Sequence, residues 1–167
     1  MAAKKGVSGG RGAGARRKRA VVVGGGMHAA CVLDALEGSG YSVVGCVDDE
    51  KPAGHLVYGG IRVLGRVDML AEILKSGVRT AFIGVGGPTD NRPRSGLFQR
   101  VRGLGFDCPP VVHPDASLSG EVELGPGSVV LAGATVGPFC KVGANVILNQ
   151  GCTVCHNCVI EDDAHIA

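Results

Sequence analysis

The chain has 167 residues, enough for one ordinary domain or two small ones. It holds 29 glycines, no tryptophan and only six phenylalanines or tyrosines, which excludes a ring-filled core and leaves Val, Ile, Leu, Ala and Cys to pack thin stacked layers. The formal charge of +2 hides an imbalance, because seven of the 17 basic residues and none of the 15 acids lie in the first 19 positions; the acidic remainder excludes a nucleic-acid-binding body.

Residues 1–19 are Gly-rich and basic and lack any apolar run. They read as a disordered tail, neither a secretory signal nor a transit peptide; a basic arm touching an anionic polymer or membrane is the alternative. No segment approaches the ~18 apolar residues of a membrane span. Seven cysteines without a secretion signal point to reduced thiols in the cytoplasm.

Residues 20–112 read as alternating strands and helices. Strands are expected at 19–24, 41–49 and 79–87, and a last extended piece at 109–113. Helices are expected at 28–38, with Ala30, Leu33 and Leu36 on one face, at 67–77 with a closing glycine, and at 92–104. That order predicts a small Rossmann-like parallel sheet covered on both faces. Gly24-Gly25-Gly26-Met27-His28-Ala29 fits G-x-G-x-x-A, and Asp48-Asp49 closes the second strand about 20 residues later. Such a turn lets backbone approach a phosphate at a helix start; its alternative is a plain strand-to-helix connection. The 93 residues hardly hold both halves of a dinucleotide fold, so a mononucleotide or nucleotide-sugar fits better than NAD. The third strand ends at Gly84, Gly86 and Gly87, which adds a further wall to one crevice.

From residue 113 onward the pattern changes. Leu118, Leu124, Val130, Val136, Val142, Leu148, Val154, Ile160 and Ile166 recur every sixth residue. A smaller residue stands two places before each: Ala116, Val122, Ser128, Ala134, Cys140, Val146, Cys152, Cys158 and Ala164. Period two within six residues turns both positions to one side, so the repeat predicts a three-sided left-handed parallel β-helix over 113–167, about three coils. Pro126 and Pro138 speak against a helix. Gly125, Gly137 and Gly143, directly after the aliphatic, are expected at corners with unusual dihedrals. The repeat stops at Ala167 in mid-pattern without a polar cap, and so reads as cut short.

VVVGGGMHAA (21–30), CVDDEK (46–51), FIGVGGPTDNR (82–92) and the segments 111–139 and 146–167 together resemble the bacterial sugar acetyltransferases. Those are the sialic acid O-acetyltransferases and the UDP-4-amino-sugar N-acetyltransferases, and the Asn149 to His156 segment is the most specific part. The resemblance implies a homotrimer that moves an acetyl group from acetyl-CoA to a nucleotide-linked amino-sugar or sialic-acid-type sugar. It implies His156 as general base, a role suited to a side chain titrating near neutrality, and His165 and Asn149 at the acetyl-CoA. It puts Gly24, Gly26, Met27, His28, Asp48, Asp49 and Gly84 at the nucleotide-sugar. Asn157 stands where the family often has an acid after the histidine, and it can orient the ring without charging it; Met27 replaces a usual glycine.

Other readings stay beside this one. Cys152-Thr-Val-Cys155-His156 fits a haem-attachment spacing, and Cys152, Cys155, His156 and Cys158 form a nominal zinc set. The repeat turns Cys140, Cys152 and Cys158 inward as packing, so no metal is expected. His113 falls at the junction and His55 in a loop. A non-catalytic nucleotide-sugar-binding or scaffolding trimer is the runner-up, and an NAD-binding regulator a third reading.

Overall fold

A computed structural model describes residues 17–87 and 90–167. Of the expected tail, residues 1–16 lie outside the described residues, as do Pro88 and Thr89 just after the expected third strand, while Lys18 and Arg19 already open the first strand.

The front half runs β1 (Lys18–Val23), α1 (Met27–Ala35), β2 (Tyr41–Val47), β3 (Leu56–Tyr58), β4 (Ile61–Gly65), a 3-10 turn (Val67–Met69) leading into α2 (Leu70–Lys75), β5 (Thr80–Ile83) and α3 (Arg92–Gly103). Its sheet has the order β3-β4-β2-β1-β5, parallel except for the β3/β4 pair. Central β1 shows why the sheet needs two covers. Ala20 and Val22 pack with Ala29, Val32, Leu33 and Leu36 of the α1 side, whereas Val21 and Val23 pack with Leu70, Ile73, Phe98 and Val101 of α2 and α3. The buried face of α1 therefore carries Ala29 and Val32 with Leu33, not Ala30, which is only half-buried.

The β3/β4 hairpin is absent from the sequence expectation. Its signal is Gly59-Gly60 between LVY and IRVL, and both glycines have positive φ (55° and 85°), as a two-residue primed turn requires.

The rest is a stack of two-residue strands. One face of the prism holds β6 (Val111–Val112), β9 (Val129–Val130), β12 (Ile147–Leu148) and β15 (His165–Ile166). The second holds β7 (Ser117–Leu118), β10 (Thr135–Val136) and β13 (Thr153–Val154). The third holds β8 (Glu123–Leu124), β11 (Lys141–Val142) and β14 (Val159–Ile160). This is the expected β-helix, and β6 joins it as the first rung by pairing with β9. The inward aliphatic and small positions form one core, with Val130, Val136, Cys140, Val146 and Leu148 each at most 1% exposed. Coils are tied by bonds such as Val129 N–H to Val146 O (2.8 Å) and Ile147 N–H to Ala164 O (2.9 Å).

The corners differ from expectation. Left-handed residues stack in three vertex columns 18 residues apart: Gly127, Asn145 and Asp163; Gly133 and Gly151; Phe139 and Asn157. Gly125, Gly137 and Gly143 are not among them. They are small because the next coil presses on them, and a Cβ on Gly137 would sit 2.7 Å from the His156 amide nitrogen.

The front domain docks on the first prism face. Its outward column, Val111, Val129 and Ile147, is buried to 4%, 1% and 0%, while the matching columns Ser117, Thr135, Thr153 and Glu123, Lys141, Val159 are exposed. Each Val or Ile so buried contributes about 1.5–3 kcal/mol. The junction also carries a polar chain: Tyr58 donates to Asp34 (2.7 Å), Asp34 meets His113 Nε2 (3.3 Å), and His113 Nδ1 accepts the Asp115 N–H (3.0 Å).

Candidate functional site

The glycine turn after β1 is held from two sides. Gly24 has φ 115°, and a Cβ there would lie 2.7 Å from Gly84 O, so β1 and β5 end in near contact. Asp48 braces the same turn: its Oδ2 accepts the Gly25 N–H (2.6 Å), and its Oδ1 accepts Glu50 N–H (2.7 Å) and Lys51 N–H (2.8 Å). Burial pushes the Asp48 carboxyl up, but the amides of Lys51, Glu50 and Gly25 outweigh it and hold it below the usual range. Asp48 is thus a scaffold for the turn. Its neighbour Asp49 accepts the Val67 N–H through Oδ1 (3.1 Å) and pairs with Arg66 (3.4 Å).

Gly26 is the N-cap of α1, with no side-chain cap, no acid in the first turn, and open space where a Cβ would stand. The helix start therefore faces a hollow of about 290 Å³ lined by Gly26, Met27, His28, Gly84, Val85 and Gly86, with Lys51 and the carboxylates Asp48 and Glu50 on its other side. A second hollow of about 210 Å³, with Gly24, Asp49, Val67, Pro93 and Leu97, adjoins it across Asp48 and Val85. Uncapped amides and a positive dipole end suit an anion. Lys51 at the rim stands two residues after the acid pair and belongs to no motif that marks it in the sequence. A separate hollow of about 270 Å³ behind α1, near Arg17, Glu37 and Tyr58, contains none of the fingerprint residues.

His28 closes the inner side. A Cβ on Gly86 would come 3.0 Å from its ring, and its Nε2 is buried without a hydrogen-bond partner. Burial, then Arg94, then His165 lower its pKa to about 4, so it is neutral at physiological pH. His165, on the docked prism face, sits 3.2 Å through Nδ1 from Gly87 O. A carbonyl only accepts, so Nδ1 carries the proton of this bond; Nε2 is also buried and unpartnered.

His156 stands elsewhere. It lies in the turn between β13 and β14, exposed, with Nδ1 2.9 Å from the Asn157 amide. Asn157 is left-handed (φ 58°), a conformation that Asn tolerates. Cys155 is exposed and Cys152 buried, and among the described residues no group of three or more His, Cys, Asp or Glu is placed to hold a metal ion. No helix among them is long and apolar enough to cross a membrane.

Residues 19–101 match the family model for the PglD N-terminal domain. PerB from Caulobacter crescentus, solved with CoA and GDP-perosamine, is 33% identical over 87% of this chain and 67% of its own, with a TM-score of 0.79. The acetyltransferase domain of PglB from Neisseria gonorrhoeae, solved with acetyl coenzyme A, is 30% identical over 89% of this chain and 70% of its own, with a TM-score of 0.76. The chain belongs to the hexapeptide-repeat sugar acetyltransferases. WeeI from Acinetobacter baumannii, at 18% identity over 89% of this chain and 68% of its own, with a TM-score of 0.69, shares the fold. No curated protein sequence matches.

Against this sugar acetyltransferase frame, the fold gathers Gly24, Gly26, Met27, His28, Asp48, Asp49 and Gly84 around the two adjoining hollows. His165 stands at the seam against Gly87 O, and Asn149 bonds through its N–H to Ile166 O (2.9 Å), the residue after His165; neither lines the two hollows. The fold does not bring His156 and Asn157 to them. Their vertex joins the second and third prism faces, so it is opposite the face on which the front domain docks.

Proposed function

We propose that the chain transfers an acetyl group from acetyl-CoA to the amine of a nucleotide-linked amino-sugar. The observation that carries this reading is the exposed His156 imidazole, held through Nδ1 by Asn157 on a free prism vertex. PerB and the PglB domain, by their CoA, acetyl-CoA and GDP-perosamine complexes, support the two ligand classes.

The nucleotide end occupies the crevice, its phosphates over the uncapped start of α1 and near Lys51. At the other end His156 Nε2 removes the amine proton as nitrogen attacks the thioester carbonyl, and the tetrahedral intermediate expels the CoA thiolate. That role needs the proton on Nδ1, with the Asn157 amide turned so that its oxygen accepts, an orientation equal in shape to the reverse. Because His156 is on the vertex opposite its own crevice, a neighbouring chain supplies the other half of each site, and a homotrimer gives every vertex a crevice. Phe139 (57% exposed) and Val159 (67%) beside that vertex are apolar flanks for such a neighbour. Seven free thiols and an acyl-CoA donor fit the cytoplasm.

The test is release of free CoA thiol from acetyl-CoA when GDP- or UDP-linked amino-sugars are added, with sedimentation equilibrium alongside. The reading expects His156→Ala to abolish release and the mass to be three chains. Undiminished release from His156→Ala, or none with any amino-sugar, overturns it.

A further inference from the structure

Among the described residues, Arg94 carries the only buried permanent charge, at 1% exposure. No carboxylate touches it. All its hydrogen bonds go to backbone carbonyls: Nη1 to Ile83 O and Val85 O (2.8 Å each), Nη2 to Gly127 O (2.9 Å) and Nε to Asn145 O (3.2 Å). Burial lowers its pKa to about 10, with Asp163 opposing, and it stays charged at neutral pH. A buried cation without an ion pair is expensive to keep, so the four acceptors themselves are informative.

They fall into two pairs. Ile83 and Val85 flank Gly84, part of the crevice wall beside Gly26 and His28. Gly127 and Asn145 are successive members of one left-handed vertex column. The first turn of α3 grips that column again: Asn91 at the N-cap gives its amide to Asp163 O (2.9 Å) instead of capping the helix, and Ser95 Oγ donates to Asp163 Oδ2 (3.0 Å). The side-chain hydrogen bonds of Asn91 and Ser95 reach only the prism. Arg94 alone of the three spans both bodies.

We propose that Arg94 is a positioning residue for acetyl transfer: its planar fork fixes the Gly84–Gly86 wall of the nucleotide-sugar crevice against the prism, and so fixes where a bound sugar lies. This rests on the function proposed above. Lysine offers a point charge in place of the fork, so it cannot reach both pairs of carbonyls together.

The test compares Arg94→Lys, Arg94→Met and Ser95→Ala in the 167-residue chain, measuring binding of a GDP-sugar, a UDP-sugar and CoA by calorimetry, with KM for each substrate. Both Arg94 variants are expected to weaken nucleotide-sugar binding and raise its KM by about 10- to 100-fold, with CoA binding and the acetyl-CoA KM unchanged. Ser95→Ala is expected to lower the melting temperature without that split. Should the Arg94 variants not fold, hydrogen exchange on the wild type decides: nucleotide-sugar should slow exchange at the Gly127 and Asn145 turns as well as at Gly84–Gly87. A wild type that binds no nucleotide-sugar sinks the functional reading and this one with it. Wild-type binding that Arg94→Lys leaves intact, or protection that stops at the crevice, sinks this one alone.

Discussion

Ile147 and His165 are in-register neighbours on the outward side of one prism face, and the front domain covers both. Ile147 is fully buried there, while His165 reaches Gly87 O at 3.2 Å. An apolar column thus ends in a polar residue, His165, whose ring meets the backbone of the Gly86–Gly87 turn. Ile147→Ala is expected to cost about 2–5 kcal/mol. Thr153→Ala, on an uncovered face, should stay within ~0.5 kcal/mol. Urea denaturation of both variants measures the contrast, and equal midpoints would mean the two bodies do not lean on each other.

The same column shows what the sequence could and could not tell. Period six announced the prism, because inward positions answer only to the stacked core. The docking face was legible too: Val111, Val129 and Ile147 are apolar where the other two faces carry Ser117, Thr135, Glu123 and Lys141. The β3/β4 hairpin had its Gly59-Gly60 signal, but the flanking runs are short and half-exposed. Of the candidate site, the glycine turn and Asp48 were readable because their spacing is local. Arg94 was not, since a guanidinium bonded to four distant carbonyls leaves no trace in spacing. Nor did the residues reveal that His156 and His28 face opposite ways, which follows only from which prism face is covered.

His28 makes stability depend on pH in a definite direction. Its folded pKa is near 4 against 6.5 for the free side chain, so the unfolded chain takes up a proton first as pH falls. The folded state is therefore penalised progressively from about pH 6.5 down to about 4 and no further below, by of order 3 kcal/mol in total. His28→Gln removes that group. Denaturation at pH 4, 5 and 7 should give a shallower loss for the variant than for the wild type; identical slopes would mean that His28 titrates normally.

Gly137 supports the corner that carries His156. Its backbone does not need positive φ, so by conformation alone alanine would be welcome there. The obstacle is contact, since the new Cβ would stand 2.7 Å from the His156 amide nitrogen. Gly137→Ala should cost at least ~10-fold in kcat/KM by displacing the imidazole. Gly133→Ala, whose Cβ would have 3.7 Å of clearance but whose φ is 71°, should instead cost about 1 kcal/mol of stability and little activity. A reversal of those two phenotypes would separate His156 from catalysis.

Asn157 sets the charge behind the proposed base. Left-handed φ at this vertex (58°) admits Asn or Asp, so Asn157→Asp changes charge with little change of shape. A carboxylate 2.9 Å from Nδ1 would favour the imidazolium and raise the histidine pKa. The base would then be protonated up to a higher pH, and the acid limb of the kcat/KM profile should move to higher pH. Its plateau should rise, since a stronger base abstracts the amine proton more readily. Asn157→Ala should lose activity by removing the group that holds Nδ1, with an added strain of about 1–3 kcal/mol at the corner. A profile for Asn157→Asp that overlays the wild type would show that this amide does not act on the reacting histidine.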